Sequence, residues 1–178
     1  MTPTLLIIDV QRASLERPDF FDGKGLVARL NALAARVRES AGRVIFVQQT
    51  AGPPGTPWHP DSPEWALVPG LKVEPVDGRV RKPTSDAFGS PQLGALLGPP
   101  AASPLLIAGC DTEYCIDATL RSALARGYPV TVPSDGHSLP DRPHLKAPQI
   151  IAHHNAIWST VGAHAGPVRV CPCAELPG

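Results

Sequence analysis

The chain of 178 residues carries 16 Lys and Arg against 16 Asp and Glu, so its net charge is zero, with 16 Gly and 22 Pro. That length suits one domain, residues 1–178, with a full core, and the glycine and proline content stays below that of a disordered composition. The balanced charge lacks the electrostatic footprint that nucleic acid or an anionic membrane would need. The apolar run Leu5 to Ile8 is cut by Asp9, far short of a signal-peptide core or a membrane span, so a cytoplasmic protein is expected. Its four cysteines then read as reduced thiols rather than a disulfide framework.

In chain order, the pattern alternates short β-branched runs with helical periods, which points to a three-layer α/β/α domain with a mainly parallel, roughly six-stranded sheet. Thr4–Val10 reads as the first buried strand. A helix follows over Gly25–Ala41, where Leu26, Leu30, Leu33 and Val37 form one stripe and Gly42 is placed to close the end. Arg43–Thr50 is the second strand. The stretch from Ala51 to Pro104 holds twelve of the 22 prolines and two of the three tryptophans, so it is expected to be a long ordered loop or lid. Within it, a weaker strand is expected at Gly78–Arg81 and a short helix at Gln92–Leu97. Pro104–Gly109 is a buried strand running into a helix over Glu113–Arg126, which Gly127 stops. Pro129–Ser134 is the next strand. A helix begins near Pro148 and carries Ile150, Ile151, His154 and Ile157, and Pro167–Cys171 is a last weak strand.

Ligands in such folds bind outside the carboxyl ends of parallel strands. Three features stand there. Asp9 closes the first apolar run, and a buried carboxylate costs several kcal/mol unless it is paired. Cys115 follows the strand 106–109 through a tight turn in which Thr112 is placed as N-cap; the helix start would favour a thiolate. Lys82 ends the basic run Arg79-Val80-Arg81-Lys82, and beside a cysteine it would lower the thiol pKa.

Taken together, Asp9-x-Gln11, Lys82 before Ser85-Asp86-Ala87-Phe88, and Gly109-x-x-Thr112-x-x-Cys115 followed by Ile116-Asp117-Ala118-Thr119 closely resemble the isochorismatase-like cysteine hydrolases. The resemblance spans about Leu5 to Asn155. It implies a parallel sheet flanked by helices, a catalytic triad of Asp9, Lys82 and Cys115, and hydrolysis of small amides, ureides or imides. It also implies a cis peptide bond between Cys110 and Asp111 and assembly as a homodimer or homotetramer. True isochorismatases lack a cysteine at the nucleophile position, so the presence of Cys115 favours C–N cleavage. Nicotinamidases of the family hold a metal through Asp-x-His after the second strand, where this chain reads Gln48-Gln49-Thr50. No metal and no cofactor are therefore expected.

In this reading Asp9 takes the thiol proton, Lys82 orients the pair and the thiolate forms a thioester that water then hydrolyses. The backbone N–H groups of Asp111 and Cys115 would hold the oxyanion. Gln11, Gln49, Trp58, Phe88 and Tyr114 are candidates for contact with a small-molecule substrate. His137, His153 and His154 read as core residues on an apolar face or as part of the pocket wall, and Asp117 with Arg121 as an i,i+4 surface ion pair. His59 and Asp61 lie too far along the loop for a metal site, and Cys171-x-Cys173 lacks a second close pair for zinc. Two other readings stay open: an interaction protein that retains the fold and presents Trp58 and Trp65, and a thiol redox protein using Cys110 and Cys115.

Overall fold

The computed structural model describes residues 2–100, 104–163 and 166–176. Among them, β1 (Thr4–Ile8), β2 (Arg43–Gln49), β3 (Gly78–Lys82), β4 (Leu105–Cys110) and β5 (Val130–Pro133) form a parallel sheet together with β6 (His137–Ser138) and β9 (Arg169–Cys171). Its order is β3-β2-β1-β4-β5-β9, and β6 pairs with the end of β4. The remaining pair, β7 (Gly162–Ala163) and β8 (Gly166–Pro167), is antiparallel. This pairing explains why the last parallel strand begins at Arg169 and not at Pro167: the Gly166–Pro167 segment turns back on its own neighbour.

Five α-helices accompany the sheet in the described residues: α1 (Arg12–Leu15), α2 (Gly23–Glu39), α3 (Pro91–Leu97), α4 (Asp117–Ala125) and α5 (Ala147–Trp158). None is long and apolar enough to cross a membrane. Side chains alternate across β1, so Leu5 and Ile7 pack with Leu26, Leu30, Leu33 and Phe46 on the α2 face, while Leu6 and Ile8 pack with Ile45, Leu120 and Trp158 on the other. Both faces of the strand are buried, which is why its sequence is apolar without interruption. Burying each such Leu or Ile stabilises the fold by about 1.5–3 kcal/mol.

Several boundaries depart from the sequence reading for local reasons. β1 stops at Ile8 because Asp9 takes a positive φ of 53°. Helix α2 starts at Gly23, and the Asp22 carboxylate accepts from Gly25 N at 3.2 Å. At its other end Ala41, not Gly42, has the positive φ; Gly42 is required by crowding, since a Cβ there would lie 2.7 Å from Pro3 O. Residues Thr112–Ile116 form a π-helical turn before α4 begins at Asp117, so the expected helix from Glu113 is two elements. The short elements α1 and β6 carry too little periodicity to be seen in sequence. The segment 51–104 is ordered along its described part by a 3-10 turn at Pro63–Trp65, β3, a second turn at Ala87–Gly89 and α3. Only its residues 101–103 lie outside the described set.

Gly109 fixes the approach of β4 to β1. Its φ is 122°, and a Cβ would sit 2.0 Å from Ile8 O. Gly109→Ala should therefore destabilise the domain by about 4 kcal/mol or more, measured as a fall in the urea midpoint; an unchanged midpoint would contradict this packing.

Candidate active site

Three strand ends converge. β1 ends in Asp9, β3 ends in Lys82, and β4 leads through the Cys110–Asp111 peptide bond, which is cis, into the π-helical turn that carries Cys115. Alternation along β3 sends Val80 and Lys82 inward while Arg79 and Arg81 stay exposed. The Lys82 side chain is fully buried, and its Nζ stands 2.7 Å from Asp9 Oδ2. The same ammonium donates to Gln49 Oε1 at 2.6 Å, Thr84 O at 3.0 Å and Cys115 Sγ at 3.2 Å. Asp9 Oδ1 is buried without a hydrogen-bond partner, and the Cys115 thiol faces that carboxylate.

Electrostatics set the resting protonation. Burial pushes the Cys115 thiol up to about 12, the Asp9 charge pushes it the same way, and Lys82 opposes both. The thiol consequently holds its proton at rest, against the acidic thiol anticipated from the helix start and the lysine alone. Burial also raises the Asp9 carboxyl above its ordinary value, with Lys82 pulling it back down. One oxygen of Asp9 is thus committed to the lysine, and the other has a free lone pair beside a protonated thiol.

A cavity of about 390 Å³ opens over this triad and is lined by Asp9, Cys115, Gln49, Trp58, Tyr114, Asp111, Ser14 and the 83–85 segment, with Ala51. Asp9, Gln49, Trp58, Tyr114, Asp111 and Cys115 are therefore brought together, as the sequence reading expected. Gln11 is not. It is fully buried, and its amide is used up between the backbone of Gln49, at 2.8 Å and 3.2 Å, and Trp65 O at 2.7 Å, so it ties the loop to β2 and cannot reach a ligand. Phe88 also lies elsewhere, packed on the Tyr128 ring at 5.6 Å and under Arg126. Trp65 belongs to the same loop anchor, since its Nε1 donates to Gln49 O at 3.0 Å.

Residues that the sequence reading passed over shape the wall. Ser14 donates to Asp111 Oδ1 at 3.0 Å, and Arg142 reaches Asp111 Oδ2 at 3.2 Å and Glu113 Oε1 at 2.6 Å. Burial raises the Asp111 carboxyl while Ser14 and Arg142 oppose the rise. No periodicity marks Ser14 or Arg142; Ser14 lies in the single-turn helix α1 and Arg142 on a connection, and their contacts are made only in three dimensions. Thr112 does not act as the N-cap, because its hydroxyl lies 2.9 Å from His137 Nδ1. His137 Nε2 meets Asn155 Oδ1 at 3.0 Å, and the Asn155 amide donates to Ser134 O at 2.9 Å. Asn155 Oδ1 can only accept, so Nε2 carries the proton and Nδ1 accepts from Thr112. His137 is thus a buried strut under the turn. His153 and His154 lie in a separate cavity beyond Tyr114. Asp117 pairs with Arg121 at 2.8 Å, as expected, and also accepts from Trp158 Nε1 at 2.8 Å. His59 and Asp61 are close to one another, at 3.5 Å, on the loop. Cys110 is fully buried with its thiol pushed well above the ordinary value, chiefly by burial, which does not suit a redox partner.

A buried carboxylate and lysine and a half-buried thiol thus meet at the carboxyl ends of the parallel strands of an α/β domain. The chain belongs to the isochorismatase domain family, whose model matches residues 3–161. It is 35% identical over 140 residues to a streptothricin hydrolase of Streptomyces noursei, covering 78% of this chain and 50% of that protein. It is 26% identical over 163 residues to the ureidoacrylate amidohydrolase RutB of Methylorubrum extorquens, covering 71% of this chain and 66% of the relative. The chain thus spans about half the length of the streptothricin hydrolases it matches. A solved isochorismatase family protein superposes with a TM-score of 0.82 at 32% identity, covering 95% of this chain and 97% of the other.

The His137 strut makes stability depend on pH. Burial lowers its pKa from 6.5 to about 4, so between those values the unfolded chain binds a proton that the folded one refuses. The fold therefore loses stability as pH falls from about 6.5 to about 4, by roughly 3 kcal/mol from this group. Urea midpoints across that window should fall more steeply for the native protein than for His137→Gln; equal slopes would contradict the assignment.

Proposed function

We propose that this chain is a cysteine-dependent hydrolase that cleaves the C–N bond of a small amide, ureide or imide through a thioester on Cys115. The observation that carries this reading is the convergence of three side chains at the cavity, in which buried Lys82 lies 2.7 Å from Asp9 and 3.2 Å from Cys115 Sγ while Asp9 Oδ1 is left free. The streptothricin hydrolase and amidohydrolase names of its relatives support the same class of reaction.

The chemistry follows from the protonation states. Because the thiol rests protonated, its proton passes to Asp9 Oδ1 as Sγ attacks the carbonyl carbon. Lys82 keeps its charge and holds the carboxylate in place. The backbone N–H groups of Asp111 and Cys115 serve the oxyanion in this reading. Collapse of the tetrahedral adduct breaks the C–N bond, and protonated Asp9 returns the proton to the departing nitrogen. Water then enters beside the same carboxylate, gives it a proton and attacks the thioester, and release of the acid restores the thiol. Gln49 is placed to hold Lys82 and to face the substrate, with Trp58 and Tyr114 on the walls. In this proposal the chain acts on a small molecule as a homodimer or homotetramer, in a reducing compartment such as the cytoplasm, where its four free cysteines persist.

A panel of small amides, ureides and imides read by ammonia or amine release tests the proposal. Cys115→Ser and Asp9→Asn should each lose at least about a thousandfold in kcat/KM, and the double variant little more than either, because the groups act as one unit. Near-normal hydrolysis by Cys115→Ser would contradict it.

A further inference from the structure

We propose that the cavity accepts an acyl group that is uncharged or cationic next to the scissile carbonyl and turns away a carboxylate, with Asp111 as the residue that sets this preference. The inference rests on reading Cys115 as the nucleophile and adds the charge class of the substrate. Among the described residues that line the cavity, the charged ones are the carboxylates Asp9 and Asp111. The cations near these carboxylates are already engaged, Arg17 with Asp19 at 2.9 Å. Lys82 is fully buried, and its three N–H donors are shared among four acceptors, Asp9, Gln49, Thr84 O and Cys115. Arg142 spends Nη2 on Asp111 and Nε on Glu113, and its guanidinium lies over the Tyr114 ring at 5.3 Å.

A substrate carboxylate entering this space would leave water, face Asp111 and find no unpaired cation. Like charges brought together in this way repel, and an ion without a partner adds its desolvation cost. A carboxamide meets no such barrier, since Ser14, Thr84, Ser85 and Gln49 present neutral polar groups. The faces of Trp58 and Tyr114 suit a neutral planar group or a cation.

The alkylating pair iodoacetamide and iodoacetate tests this without knowledge of the natural substrate, because the two differ only in an amide against a carboxylate. With either reagent the Sγ–CH2 bond forms, iodide leaves and the thiol proton passes to Asp9. Adduct formation on the Cys115 peptide is followed by mass spectrometry, and the ratio of the two rates is divided by the same ratio on free cysteine. In the native enzyme iodoacetate should be disfavoured by about tenfold or more after this correction. Asp111→Asn removes the charge and frees Arg142 Nη2, so it should raise the iodoacetate rate selectively. A corrected ratio near one, or one favouring iodoacetate, in the native enzyme overturns the proposal even where Asp111→Asn fails to fold. Failure of both reagents to modify Cys115 would instead refute the nucleophile reading, and the inference would fall with it. Fast labelling by iodoacetamide with a corrected ratio near one would spare that reading and reject only the charge preference.

Discussion

The pairing of Asp9 with Lys82, 2.7 Å apart and both buried, constrains the rest of the molecule. Removing two ions from water costs several kcal/mol each, and their attraction repays it only when the remaining donors and acceptors are also satisfied. Here the lysine is completed by Gln49 and Thr84 O. The sheet order serves this pair: β1 lies between β2 and β4, and β3 at the edge supplies the cation from beyond β2. The loop after β2 is held shut around it by Gln11 and Trp65, which bond to the backbone of Gln49.

In the proposed reaction the same pair is what lets a half-buried thiol serve as a nucleophile. Burial holds the proton on Cys115, so there is no standing thiolate to be quenched or oxidised. In that reaction the unpartnered Asp9 oxygen would supply a proton acceptor at the moment of attack, and the lysine would keep the carboxylate oriented while its charge state changes. Reactivity would then be coupled to a substrate carbonyl in place. The strut of Thr112, His137 and Asn155 supports the turn from below, and Ser14 with Arg142 supports it from the side.

Most of the sheet was legible because strands buried on both faces are written as unbroken apolar runs, and the three residues that converge were legible because Asp9 ends such a run, Lys82 ends a basic one and Cys115 follows a buried strand through a tight turn. What escaped the sequence was set by backbone geometry and tertiary contact. Asp9 ends β1 through a positive φ, the π-helical turn displaces the start of α4, and Gly42 serves close approach while Ala41 makes the turn. Gln11 sits in a motif beside the triad, yet its amide is spent on backbone. Ser14 and Arg142 come from segments with no pattern at all, and they shape the wall only because the fold brings them to Asp111.

The central claim is that Cys115 carries the acyl group during turnover. Acid quenching of the enzyme while it hydrolyses an amide, followed by peptide mass spectrometry, addresses this directly. The account predicts a Cys115 peptide heavier by the acyl group of that amide, absent from Cys115→Ser and lost when substrate is exhausted. Steady turnover with no acyl mass on Cys115, retained by Cys115→Ser, would contradict it.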